Sequence, residues 1–537
     1  MVKTPDPIEN LKGIKNRLYN VGPLGNKPVV SLVIISLIGL SLRLFFLNSD
    51  LPLTLDALKY FWYASDTSIL GHLPTWPQSL SNNGWSMILS IFFSIFHFNN
   101  FLDYMTLQRL ATISISILTI IPVYLLCRRF VSWNLALVGA ALFVLDPRII
   151  QNSLLGLTDA LYVFLLSWSF YLSLSDNKKA AYASFAISAF TIIVRSEAIF
   201  LFVALSVIFF IRFRKERKII IKYALAVALF AIILLPLLAL RIETTGNDQV
   251  TDRLSAGVDY ITNNSAKIHE KNPIMFWLSM LENPVKFLGW SMIPTFIFFV
   301  PIGTFLVFKN RNYKKVSVIV FGIILLIPIF YALTLAPDTR YLFSIYPLFA
   351  VLAILATERF SNKFNNHNLI LLAIIVGIIL ASVFFLHFKN TDVQREKDGL
   401  SLAYYIHNST GKINPYSMLK YLPITEMPNS GFPYIGPPKV INDLMSSYPS
   451  QIIPIDGYDS LSQYIKSQKV NGLTHIVVDD SIDDKNFLKD VYNNDYKYPY
   501  LTKIFDSAEH GYKYHLKVYK INYEKFQLET EHGQVLS

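Results

Sequence analysis

The chain is 537 residues long, 53% hydrophobic and only 16% charged, with a formal net charge of +11. So few charges cannot solvate that much apolar surface in water, which excludes the soluble classes and points to a membrane protein. The positive balance does not imply nucleic acid, because Lys and Arg gather in short loops between apolar runs, as in chains oriented across membranes.

Taken in order, the N-terminal tail 1–27 carries Lys3, Lys12, Lys15, Arg17 and Lys27 ahead of an apolar run with no small-residue cleavage site, so that run is expected to stay as an anchor. Apolar runs near 28–48, 108–127, 132–149, 154–175, 180–195, 197–213, 219–240, 287–308, 316–335, 341–357 and 367–388 predict a mainly α, polytopic bundle of about eleven spans. If the chain alternates, Arg128 and Arg129, Lys178 and Lys179, Arg212 to Lys218, Lys309 to Lys315, and Arg359 with Lys363 all fall on the side of the N-terminal tail. The excess of Lys and Arg makes that side cytoplasmic, in the plasma membrane if the source is a prokaryote. Gly84 to Phe98 is apolar but short, and is expected to lie in the outer interface, leaving 49–107 as one long outer loop of a transmembrane domain 28–388. Cys127 is the only cysteine, which excludes an intrachain disulfide or a cysteine metal site.

From 389 to 537 the chain gains Asp, Asn, Ser, Pro and Tyr, and an extracytoplasmic α/β domain is expected. Strands are predicted at Gln451 to Pro454, Thr474 to Val478 and Tyr512 to Ile521, and helices at Lys397 to Asn408, Ser460 to Ser467 and Asn486 to Asn493. The acidic patch Asp479, Asp480, Asp483 and Asp484 is read as a solvated turn, since it lacks the glycine and terminal glutamate of a calcium loop. Two N-x-S/T sequons, at Asn263 and Asn408, fall on the outer side.

Ionisable groups in or beside apolar spans cost roughly 2.5 to 3.5 kcal/mol each, so those that remain tend to face a cavity or a partner. Arg43, Asp56, Lys59, Asp146, Arg148, Asp159, Arg195, Glu197, Arg241 and Arg340 all lie toward the outer half of this topology. A carboxylate there can accept the proton of an incoming hydroxyl, and guanidinium groups can neutralise a departing phosphate, so the set suits glycosyl transfer from a lipid phosphate.

Asp56-Ala57-Leu58-Lys59-Tyr60, just after the first span, resembles the Asp-Glu-x-x-Tyr region of GT-C superfamily glycosyltransferases. The likeness is greatest to glycosyltransferase family 39, with its protein O-mannosyltransferases and lipid A aminoarabinose transferases. Gly84-Trp85-Ser86, Arg109-Leu110, Leu157-Thr158-Asp159, Val194-Arg195-Ser196-Glu197 and Arg340-Tyr341 with Pro347 follow in the family's order and spacing. The resemblance covers roughly residues 28 to 387. It departs at Ala57, where the family has glutamate, and the chain has no Trp-Trp-Asp motif, which argues against an oligosaccharyltransferase catalytic subunit.

The resemblance implies an inverting transfer from a polyprenyl- or dolichyl-phosphate sugar to a protein, lipid or glycan hydroxyl. Asp56 would act as base and Asp159 would orient the acceptor or base. Arg340, with Lys59 or Arg148, would hold the donor phosphate, and Tyr60, Arg195, Glu197 and Tyr341 would serve as structural or substrate contacts. No cofactor is required, although a divalent metal is compatible. Each residue also has an ordinary reading. Asp56 and Asp159 suit helix N-caps, Arg195 and Glu197 a paired turn, and Arg340 a snorkelling end group beside Asp338. His72 and His97 have no third ligand at usual spacing and are read as interface residues, as are Phe61, Trp62, Tyr63 and Trp85. A transporter or flippase for a lipid-linked sugar is the rival function, and it should show paired internal repeats with interrupted helices.

Overall fold

The computed structural model describes 26–53, 55–74, 83–98, 101–246, 273–309, 312–335 and 338–389. Further on it describes 393, 397–398, 401, 434–435, 452–453, 458–471, 473–479, 486–512 and 515–533. Both sequons, most of the helix expected at Lys397 to Asn408, and Asp480, Asp483 and Asp484 lie outside the described residues.

In chain order the helices are α1 (Asn26–Phe45), α2 (Leu55–Leu70), α3 (Gly84–Ile95), α4 (Phe101–Leu118), α5 (Ile120–Cys127), α6 (Trp133–Val144), α7 (Pro147–Ser153) and α8 (Asp159–Ser173). There follow α9 (Lys178–Val194), α10 (Ile199–Phe213), α11 (Ile219–Thr245), α12 (Pro273–Met292), α13 (Phe299–Lys309), α14 (Tyr313–Leu335), α15 (Tyr346–Ser361) and α16 (His367–Lys389). A 3-10 turn, Thr339–Ile345, leads into α15.

Each of the eleven apolar runs contains helix, yet among the described residues only seven helices are long and apolar enough to cross a membrane, or eight if the bent pair α6 and α7 counts as one span. The expected count of about eleven is therefore not reached. Helix α8 has 15 residues and α9 has 17, which at 1.5 Å per residue reach about 22 and 26 Å, short of a core of about 30 Å. The run near 287–308 is divided between α12 and α13. Helix α3, at 12 residues, is also too short to cross. The chain is an integral membrane protein all the same.

The described residues fall into two compact units. The first comprises the chain to Leu47 with 74–88 and 108–387. At its centre lies α6, buried on every side from Leu135 to Val144, as a helix apolar all round must be, and α15 is nearly as enclosed. The bend of 51° between α6 and α7 frees backbone groups that no water can reach, and side chains take them up. Pro147 starts α7, and the Asp146 carboxylate accepts from the N–H groups of Arg148 at 3.0 Å and Ile149 at 3.2 Å and from the Thr295 hydroxyl. Arg43, fully buried, donates to the carbonyls of Val144 at 2.9 Å and Gly39 at 3.0 Å and to the hydroxyls of Ser116 at 2.9 Å and Ser153 at 3.0 Å. The Ser382 hydroxyl donates to the Leu145 carbonyl.

The second unit comprises 48–73, 89–107 and 388–537. In its helical part Phe61, Phe93 and Tyr104 pack edge to face, and Tyr104 accepts from the Phe98 N–H at 3.0 Å. Its sheet has five strands: β1 (Tyr434–Ile435), β2 (Ile452–Ile453), β3 (His475–Asp479), β4 (Leu501–Asp506) and β5 (Leu516–Ile521), in the order β2-β1-β3-β5-β4. Strand β1 runs parallel to β2 and β3, while β5 is antiparallel to β3 and β4. Helices α17 (Leu461–Gln468), α18 (Asn486–Asn493) and α19 (Tyr523–Gly533) bury Tyr464, Val491 and Phe526 with Ile476, Val478 and Tyr519 of the sheet. This is the expected α/β arrangement.

Candidate functional site

In the first unit the residues around Asp159 are held from both sides. The Gly156 carbonyl, in a turn whose glycine has φ of 74°, accepts from the Trp85 indole at 3.1 Å and the Gln108 amide at 2.8 Å. Arg109 Nε donates to the Leu154 carbonyl at 3.1 Å, and the Thr112 hydroxyl to the Ser153 carbonyl at 2.8 Å. A Cβ on Gly84 would lie 2.9 Å from the backbone of Ile193 and Val194, so glycine is what lets α3 begin against the end of α9. The motif residues Gly84, Trp85 and Arg109 thus position the segment that carries Asp159.

Asp159 does not act as a cap. It stands in the first turn of α8, and its carboxylate, 3% exposed, pairs with the Arg195 guanidinium and accepts from Asn152 Nδ2 at 3.3 Å. Arg195 ends α9 in extended backbone, which turns its side chain back toward α8. Its Nε lies 3.5 Å from Glu197, and its guanidinium sits 5.5 Å from the Tyr162 ring and 5.7 Å from the Tyr341 ring. The Arg340 guanidinium is 5.3 Å from the same Tyr341 ring, with Nε 3.3 Å from Asp338. Asp159, Arg195, Glu197, Tyr341 and Arg340 therefore form one chain of contacts across the ends of three sequence-distant segments. Exposure grades along it, from 3% at Asp159 through 20% at Glu197 to 25% at Arg340. Arg195 is committed to two carboxylates. Arg340 is the cation at the accessible end.

Arg148 belongs to a different cluster. Its Nε donates to the Ile293 carbonyl at 3.1 Å and its guanidinium lies 5.1 Å from the Phe385 ring, beside Asp146 and Thr295. Among the described contacts nothing joins it to Tyr341 or Arg340.

Asp56, Lys59 and Tyr60 lie on α2 in the second unit. Lys59 Nζ is 3.8 Å from the Asp56 carboxylate, one turn away, with the Asp56 side chain 38% exposed. Tyr60, on the same helix, is buried. The same helix buries Asp66 completely, and sequence reasoning did not single it out. Asn152 and Tyr162 were missed as well. Both were detectable only as polar groups beside the Asp159 turn, a signal too common to act on.

Among the described residues no group of three or more His, Cys, Asp or Glu converges, and Asp159 and Glu197 both pair with Arg195.

No protein-family model and no curated protein sequence matches this chain. Solved structures do. The Archaeoglobus fulgidus oligosaccharyltransferase, in complex with Zn and sulfate, is similar with a TM-score of 0.54 at 14% identity, over 84% of this chain and 68% of that one. The oligosaccharyltransferase AglB from Archaeoglobus fulgidus, in complex with an inhibitory peptide and a dolichol-phosphate, gives 0.52 at 12% identity, over 84% of this chain and 69% of that one. ArnT from Cupriavidus metallidurans, bound to undecaprenyl phosphate, gives 0.51 at 14% identity, over 91% of this chain and 97% of that one. At these identities the likeness establishes the fold.

Proposed function

The chain has the GT-C fold of membrane glycosyltransferases, and from that premise we propose that it transfers a sugar from a polyprenyl-phosphate donor to an acceptor hydroxyl at the outer face of the membrane. Two neighbours of different names, AglB and ArnT, each hold a polyprenyl phosphate. The shared ligand chemistry is therefore a phosphate on an isoprenoid chain. What carries the reading in this chain is Arg340, a cation at the accessible end of the Asp159–Arg195–Tyr341 cluster.

In the proposed step the acceptor oxygen attacks the anomeric carbon, and the bond from that carbon to the phosphate oxygen breaks. The acceptor proton passes to Asp56, and the lipid phosphate leaves with the electron pair. Arg340 neutralises that phosphate, and Lys59 is proposed to assist. Arg195 holds Asp159 and the Tyr341 ring and so positions Arg340. Arg148, committed to the Ile293 carbonyl, is the weaker of the proposed phosphate ligands. The acceptor is a protein, lipid or glycan, and the setting is a prokaryotic plasma membrane with the N-terminus inside and the C-terminal domain outside.

The test uses membranes, a radiolabelled polyprenyl-phosphate sugar and endogenous acceptor. Asp56→Asn is expected to lower transfer about a hundred- to ten-thousand-fold while leaving donor binding and folding nearly intact, since the amide keeps the side chain's shape and the Lys59 pair it gives up is long and exposed. Arg340→Gln is expected to weaken donor binding as well as rate, by about a hundred- to a thousand-fold in rate. Full activity of the Asp56→Asn protein at normal expression would return Asp56 to a structural role. Movement of an intact lipid-linked sugar with no transfer would favour a flippase.

A further inference from the structure

Helices α13, α14 and α15 enclose a cleft that the proposed reaction does not use. One part is an apolar slot of about 290 Å³, lined by Val300, Thr304, Val318, Gly322, Leu348 and Leu352 among others. The other is a polar mouth of about 370 Å³, where Lys309, Lys315, Glu358 and Arg359 stand over Leu306 and Leu355. The two follow one another along α14 and α15. On α15, Leu348, Leu352, Leu355 and Arg359 recur at helical spacing along a single face, and on α14 Lys315, Val318 and Gly322 do the same.

The slot is closed behind and open in front. A Cβ on Gly303 would run into the Leu352 carbonyl oxygen, so α13 and α15 touch backbone to backbone there. On the facing helix a Cβ at Gly322 would meet only Leu348 Cδ1, at 4.0 Å, which leaves room inside. At the front, Ile323 and Phe308 are 60% and 48% exposed, as bilayer-facing side chains are. The mouth carries three cations against one carboxylate. Among the described residues no carboxylate lies within ion-pairing distance of Lys309, Lys315 or Arg359, and Lys315 Nζ is held at the rim by the Leu306 carbonyl at 3.4 Å. An apolar slot that ends in a cationic mouth is complementary to one class of molecule, a lipid with an anionic head group.

We propose that this cleft binds an anionic glycerophospholipid, with its phosphate between Lys309, Lys315 and Arg359 and one acyl chain in the slot. The site lies at the far end of α15 from Arg340 and Tyr341, which precede that helix. The 16 residues of α15 put about 24 Å between the two ends, so the mouth is not the donor phosphate site. The inference does not depend on the glycosyl-transfer reading.

The whole protein in non-ionic detergent would be titrated with phosphatidylglycerol, with phosphatidylcholine of the same acyl chains, and with glycerol 1-phosphate, and bound molecules counted by native mass spectrometry. Phosphatidylglycerol is expected to bind at least about tenfold more tightly than either comparator. The pair Lys309→Gln and Arg359→Gln should weaken it about 25-fold, at about fivefold for each cation removed, with phosphatidylcholine unchanged. Gly322→Leu, which fills the slot, should weaken both lipids and leave glycerol 1-phosphate unaffected. If the double variant does not fold, Arg359→Gln alone carries the test, with about a fivefold loss expected. Equal binding of the two lipids, or a loss below twofold in the charge variants, overturns the proposal. Binding of glycerol 1-phosphate as tight as that of phosphatidylglycerol overturns it in favour of a soluble phosphate ester.

Discussion

Arg43 and Arg340 are both arginines of the helical unit, and they differ in what their charge is occupied with. Arg43 is wholly buried and donates four hydrogen bonds, two of them to carbonyls and two to serine hydroxyls. Asp146 lies within electrostatic reach of it. Arg340 keeps a quarter of its side chain exposed and pairs with the half-exposed Asp338, at the end of a cluster whose other cation is held by two more buried carboxylates. A charge inside a membrane protein therefore shows that something needs it, but exposure decides whether that something is the fold or a ligand.

The sharpest way to break this contrast is to remove Arg43. Arg43→Met leaves the Val144 and Gly39 carbonyls without this donor at a bend that water does not reach, and the expected loss is about 3 to 5 kcal/mol of stability. Expression and the unfolding temperature in detergent would fall, while transfer per folded molecule should change little. A variant of normal stability and lost transfer would make Arg43 part of the site.

How far the sequence reveals each cluster follows from the same distinction. The helices were legible because an apolar run long enough to enter a bilayer has few alternatives, and Asn486–Asn493, beyond the last apolar run, was recognisable from its periodicity. The number of full spans was not, because Gly156 and Thr158 before α8, and Pro294 and Thr295 between α12 and α13, are isolated breaks in stretches otherwise apolar enough to read as continuous. Strand β4 escaped because the irregularity between Lys503 and Phe505 breaks the alternation by which a half-buried strand is recognised. Strands β1 and β2 are two residues each, too short for any pattern. In the site, sidedness picked out Asp159, Arg195, Glu197 and Arg340 one by one, and the family resemblance added Tyr341. That Arg195 would serve Asp159, 36 residues away, is a fact of packing between α8 and α9.

A smaller effect sharpens the contrast from the other side. Arg195 neutralises Asp159 but also keeps Glu197, so Asp159→Asn still leaves the guanidinium a partner. Its expected cost is about 1 to 3 kcal/mol. Arg195→Gln strands a carboxylate that is 3% exposed and should cost more. If the pair acts as a unit, the double variant will be more stable than the sum of the singles by about 1 to 3 kcal/mol. Additive losses, measured by unfolding in the same detergent, would mean that the short contact contributes nothing and that Arg340 is positioned by other means.

The least effect is expected where charges meet in water. Between α10 and α11, Glu216 pairs with Lys178 at 2.6 Å and with Lys222, and hydrogen bonds from these lysines hold its carboxyl at about 2, below the ordinary 4.5. A carboxylate with a lowered pKa contributes stability that is complete above its unfolded value, near 4.5, and disappears as the pH falls through about 2. Lys178 is 62% exposed, however, so solvent and salt screen the pair. Glu216→Gln should shift the unfolding temperature at pH 7 by no more than about 2 °C. Even that difference should shrink in 1 M salt, where the screening length is about 3 Å, and vanish below pH 2, where the parent carboxylate is protonated too. A loss as large as that of Arg43→Met would mean that burial is not what separates a structural charge from an incidental one in this protein.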